Sequence, residues 1–118
     1  MSDIMTDADL ASELALSAGR ILLELRESGK FEGKELGKAG DEAANAFLVR
    51  ALREQRPEDG LLSEESKDTA ERLEKSRVWI VDPVDGTREY GEGRPDWAVH
   101  VALAIDGVAT IGAVALPG

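Results

Sequence analysis

Apolar residues recur at Leu10, Leu14, Ala18, Ile21 and Leu25, at intervals of four, four, three and four, which places them on one face of a helix. Thr6 with Asp9 forms a capping-box-like start, and Gly29 marks the end. Gly19 inside this stretch costs stability relative to alanine, and close packing against a neighbouring element accounts for it. Residues 30–40, Lys-Phe-Glu-Gly-Lys-Glu-Leu-Gly-Lys-Ala-Gly, alternate weakly and are rich in charge and glycine, so they read as a mobile loop or frayed hairpin. Ala44, Phe47, Leu48, Ala51 and Leu52 then predict a second helix, opened by Asp41 as N-cap and ended by Pro57.

Downstream the period changes. Leu61 and Leu62 read as a short strand leading into Ser63-Glu64-Glu65-Ser66, followed over 67–76 by a polar loop with a helical turn around Ala70 to Leu73. Val78 to Val81 is an uncharged, β-prone run, the pattern of a buried strand, and Pro83 is expected to end its ladder. Asp96 to Ile105 and Val108 to Leu116 are two more strands, joined by Asp106-Gly107, which favours a type I′ hairpin turn. Helices followed by strands predict an α+β fold, two N-terminal helices packed on one face of a largely antiparallel sheet.

The candidate chemistry lies where the Val78–Val81 strand ends, in Asp82-Pro83-Val84-Asp85-Gly86-Thr87. Pro83 turns the chain and leaves the Val84 carbonyl free to point elsewhere. The carboxylates of Asp82 and Asp85 and the Val84 carbonyl are hard oxygen donors, the type Mg²⁺ selects over thiolate or imidazole. Gly86 and Thr87 open a short helical turn whose N–H groups and hydroxyl suit a phosphate oxygen. The competing reading is an ordinary Asx-type turn. Glu64 also follows a short apolar strand, so neighbouring strands can bring it to the same sheet edge as Asp82; by itself, its acidic cluster reads equally as solvated loop. His100, the single histidine, alternates onto one face with Ala98 and Ala102 and reads as packed or surface-facing, not as a ligand or base. Trp79 and Trp97 sit among β-branched neighbours and belong to the core.

Composition narrows the classes. With 14 basic against 24 acidic residues the net charge is −10, which repels nucleic acid polymers and anionic membranes. A small phosphorylated substrate would have to be held by metal ions and local dipoles. The absence of cysteine excludes disulfides, thiolate zinc sites and cysteine nucleophiles. There is no Gly-x-Gly-x-x-Gly or P-loop, and no nucleophilic serine set with histidine and aspartate. The first residues lack a basic segment before an apolar stretch, so the cytoplasm is the expected compartment.

Asp-Pro-Val-Asp-Gly-Thr resembles the first signature of the inositol monophosphatase superfamily, Mg²⁺-dependent, lithium-sensitive phosphatases. Arg88-Glu89-Tyr90 and Trp97-Ala98-Val99-His100-Val101-Ala102-Leu103 resemble its CysQ branch, the 3′(2′),5′-bisphosphate nucleotidases. The resemblance implies hydrolysis of the 3′-phosphate of 3′-phosphoadenosine 5′-phosphate in sulfur assimilation, with two or three Mg²⁺ ions. Inositol-1-phosphate hydrolysis and a non-catalytic fragment are the alternatives. It further implies Glu64, Asp82, Val84 and Asp85 as metal ligands, Asp85, Gly86 and Thr87 at the substrate phosphate, and Glu64, Asp41 and Thr87 as catalytic. Asp41 matches the aspartate that pairs with the motif threonine near the attacking water, although Lys38-Ala39-Gly40 departs from the Thr-Ala-Asp-like stretch usual there, so a cap and a cap with a catalytic role both stand. The resemblance covers the first half of a typical member. Residues 1–118 are therefore expected to be the N-terminal metal- and phosphate-binding part, without the Trp-Asp motif whose aspartate closes the second metal site. A homo-oligomer or a missing C-terminal half would complete it.

Overall fold

The computed structural model describes residues 5–63 and 75–118. The helix α1 spans Asp7–Glu27 and starts as predicted, the Thr6 side chain accepting from the Asp9 N–H at 3.1 Å. Leu10, Leu14, Ala18 and Leu22 are buried along its inner face. The second helix, α2, spans Gly33–Gln55 and corrects the expected loop over 30–40. Asp41 is thus inside a helix and does not cap one. The physical reason is tertiary. Gly37 and Gly40 each cost about 1 kcal/mol in a helix interior, but they let α2 lie against other elements. A Cβ on Gly37 would fall 2.9 Å from the Thr87 methyl group, and one on Gly40 would fall 2.6 Å from the Tyr90 ring.

Strands β1 (Gly60–Ser63) and β2 (Arg77–Asp85) pair in parallel, and β3 (Ala98–Ile105) and β4 (Val108–Ala115) continue the sheet antiparallel in the order β1-β2-β3-β4. A short helix, α3 (Thr87–Gly91), separates β2 from β3. The β3–β4 turn has positive φ at both Asp106 (50°) and Gly107 (80°), the hairpin geometry the dipeptide predicts. The α+β prediction holds: α1 lies across β3 and β4, and α2 across β1 and β2, so both helices cover one face of the sheet. Trp79, Val81, Val99, Val101 and Leu103 join the helices' leucines in one core. The predicted helical turn around Ala70 to Leu73 lies outside the described residues.

Pro83 does not end β2. Pairing lapses after Asp82, opposite His100, and resumes at Asp85, opposite Ala98. Pro83 and Val84 together face the single residue Val99, a bulge of two residues against one. The proline costs one ladder bond, and the bulge absorbs that loss without terminating the strand.

Candidate active site

The bulge decides where the two carboxylates point. Along a regular strand Asp82 and Asp85 would lie on opposite faces, since their spacing is odd. One extra residue restores the phase. Asp82 faces the same side as His100, Asp85 the same side as Ala98, and Ala98 and His100 share a face by alternation, so both aspartates emerge on the sheet face opposite the helices. Asp82 is half-buried and Asp85 exposed.

Gly86 follows with φ +94°, a conformation that favours glycine, and a Cβ there would meet the Asp96 carbonyl oxygen at 3.0 Å. This turn hands the chain into α3. Tyr90, fully buried, anchors α3 by donating its hydroxyl to the Leu22 carbonyl at 2.6 Å. Burial, partly countered by the Arg26 charge, pushes the Tyr90 phenol up to about 12. Arg26 also donates to the Tyr90 and Arg94 carbonyls and lies 5.4 Å from the centroids of the Tyr90 and Trp97 rings. The turn is therefore held from behind by the core.

Thr87 is brought to Asp41. Its Oγ1 lies 3.3 Å from each Asp41 carboxylate oxygen and 3.2 Å from the Val84 carbonyl. A hydroxyl has one proton to donate, and all three distances exceed the usual O–H···O separation of about 2.7–2.8 Å. The Thr87 hydroxyl is thus loosely shared between a carboxylate and a carbonyl, and the Val84 carbonyl, in the gap of the strand pairing, keeps a second lone pair. Beside Thr87 a cavity of about 650 Å³ opens between the start of α2 and α3, lined by Gly33, Lys34, Gly37, Thr87, Arg88 and Glu92.

The sequence-predicted site residues thus divide. Asp41, Thr87 and the Val84 carbonyl meet, and Asp82 and Asp85 share a face. Glu64 and Glu65 lie outside the described residues; the β1–β2 register sets Ser63 level with Val81, the residue before Asp82. Among the described residues no group of three His, Cys, Asp or Glu side chains gathers to hold a metal. What is present, two carboxylates and a carbonyl, is an all-oxygen donor set, which fits Mg²⁺ with water completing the coordination. Sequence reasoning missed His100, whose Nε2 lies 3.1 Å from Asp85 Oδ2. Its shared face with Ala98 was visible; its partnership with Asp85 depends on the bulge.

The model of the inositol monophosphatase family matches residues 3–118. The chain belongs to this family. A curated relative, the 3′-phosphoadenosine 5′-phosphate phosphatase of Mycobacterium leprae (strain TN), is 52% identical over 124 residues, which cover 96% of this chain and 46% of the relative. The chain thus spans less than half the length of that relative. Among solved structures, CysQ from Bacteroides thetaiotaomicron, a bacterial member of the family, superposes with a TM-score of 0.83 at 31% identity, covering 94% of this chain and 42% of that one. The inositol monophosphatase from Anabaena (Nostoc) sp. PCC 7120 matches with a TM-score of 0.76 at 31% identity, over 93% of this chain and 39% of its own. No helix among the described residues is long and apolar enough to cross a membrane.

Proposed function

We propose that residues 1–118 are the N-terminal metal- and phosphate-binding part of a cytoplasmic, Mg²⁺-dependent phosphatase that removes the 3′-phosphate of 3′-phosphoadenosine 5′-phosphate. The observation that carries this reading is the bulged turn from Asp82 to Thr87, which turns two carboxylates to one face beside a threonine hydroxyl. The 52% identity to a relative named for that substrate supports the choice of ester.

In this reading Glu64, Asp82, the Val84 carbonyl and Asp85 would hold the Mg²⁺ ions. Bound Mg²⁺ supplies an acidified water and offsets charge on the phosphoryl oxygens. Asp41 accepts a hydrogen bond from the Thr87 hydroxyl, which leaves the Thr87 oxygen lone pairs to orient a water for attack. Gly86 and Thr87 would steady a phosphate oxygen through their N–H groups. The remaining ligand and the sugar and base contacts come from a C-terminal half or from another chain.

The test is phosphate release from 3′-phosphoadenosine 5′-phosphate with and without Mg²⁺, for the wild-type chain and for Asp82→Asn. Slow Mg²⁺-dependent release is expected from the chain alone, since the remaining ligand lies outside it, and it should fall further in the variant because Asp82 is read as a ligand to both ions. Release that survives the substitution sinks the metal assignment. Faster release from inositol 1-phosphate overturns the substrate, and Mg²⁺ binding without any release assigns the chain a non-catalytic role.

A further inference from the structure

We propose that His100 is a positioning residue for Asp85, holding one carboxylate oxygen so that the other is presented to the metal site. The inference rests on the metal-site reading above and adds to it a residue outside the signature turn.

Three observations carry it. First, His100 Nε2 lies 3.1 Å from Asp85 Oδ2, within hydrogen-bond range. An ionised carboxylate can only accept, so Nε2 must carry the proton, and the ring donates to Asp85 whether it is neutral or protonated. Second, the bulge makes this contact. His100 is the Cα partner of Asp82, and Asp85 pairs with Ala98, so His100 stands on the same face as both aspartates and reaches the one next along. Third, packing does not explain the ring. Its side chain is 40% exposed, on the sheet face away from the helices, with Ala102 beside it and Val114 opposite. A residue whose purpose was burial would sit on the Val99 and Val101 face.

Asp85 needs such a partner because its own side chain is 64% exposed. A carboxylate there turns freely about its last bond, and a ligand that rotates loses affinity in proportion to the orientations it must give up. Direct ligation by His100 fits less well, since imidazole nitrogen is a poor match for Mg²⁺ and this Nε2 is already occupied by Asp85. An exposed pair of this kind contributes little to stability, whereas partners that orient metal ligands commonly change affinity ~10–100-fold. The two quantities therefore separate a positioning role from a structural one.

The experiment measures Mn²⁺ binding to the whole 118-residue chain by the loss of the free-ion electron paramagnetic resonance signal, alongside thermal unfolding. Asp85→Asn, His100→Phe and His100→Gln are compared with wild type. Phenylalanine keeps the ring and its β propensity but has no donor; glutamine loses the ring and keeps a donor at similar reach. The expected result is affinity lowered ~10-fold in His100→Phe and held within about threefold in His100→Gln, with unfolding little changed in both. A structural role predicts the reverse, with phenylalanine neutral and glutamine destabilised. If Asp85→Asn weakens binding and His100→Phe does not, the positioning role is wrong and the metal site stands. If wild type does not bind, or Asp85→Asn binds as wild type does, the metal-site reading fails and takes the role of His100 with it.

Discussion

At its N-terminal end β2 carries Arg77, whose guanidinium reaches Asp59 at 3.0 Å and Asp7 at 2.9 Å, with Arg56 on the same Asp7 oxygen at 3.0 Å. At its other end the strand carries Asp82 and Asp85, and the ion-pair partner of Asp85 among the described residues is an imidazole. One end brings alternating charges together and satisfies them. The other gathers like charge on one face. The first arrangement ties α1, the end of α2 and β2 into one corner; the second is the end proposed above as a cation site. In that reading a single strand serves as a brace at one end and a receptor at the other, because its regular middle keeps the two apart.

Removing the brace should have the largest effect on stability. Asp59 is 8% exposed in its side chain, so Arg77→Met leaves a largely buried carboxylate that still accepts from the Trp79 Nε1–H at 2.9 Å. Breaking a fully buried pair costs about 3–5 kcal/mol; because Arg77 itself is 32% exposed, about 2 kcal/mol is expected, read from urea unfolding, with Mn²⁺ affinity unchanged. Loss of metal binding in this variant would show that the two ends are not separable.

A smaller effect follows from pH. The Arg77 hydrogen bond first, opposed by partial burial and aided by Arg56, holds the Asp7 carboxyl below its ordinary value of 3.8. Its folded pKa is below its unfolded one, so its contribution is complete above the unfolded value and is lost as the pH falls through the folded one. Wild type should exceed Asp7→Asn in stability at neutral pH, and the two should converge well below pH 3.8. A constant difference across that range would mean that Asp7 acts by shape alone.

The smallest effect belongs to the receptor end. Asp85→Asn should change unfolding free energy in metal-free buffer by no more than about 0.5 kcal/mol, as for other exposed positions. A loss of 2 kcal/mol or more would place Asp85 in the brace class.

Local signals were legible and long-range ones were not. The cap at Thr6, the leucine stripe of α1 and the Asp106-Gly107 turn are decided by neighbours within a few residues, and each was read correctly. The start of α2 was misread because Gly37 and Gly40 break helix propensity locally and are explained only by Thr87 and Tyr90, which lie far along the chain. The site followed the same division. Asp82, Val84, Asp85 and Thr87 announce themselves by composition, yet the shared face of the aspartates and the reach of His100 depend on a phase shift between two strands. Asp41 reads locally as a cap, which the longer helix overturns, while its pairing with Thr87, implied by the family resemblance, is met and is a product of helix packing.

The seating of α1 has a consequence for how the protein is made. Its apolar face is covered in large part by β3 and β4, which lie far downstream of it in the chain. At roughly 5–20 residues per second the helix waits on the order of ten seconds for that cover. During synthesis, Leu10, Leu14 and Leu22 thus have α2 as a native partner but not the sheet, and the nascent chain must keep the rest of that apolar face from non-native contacts until β3 and β4 are made.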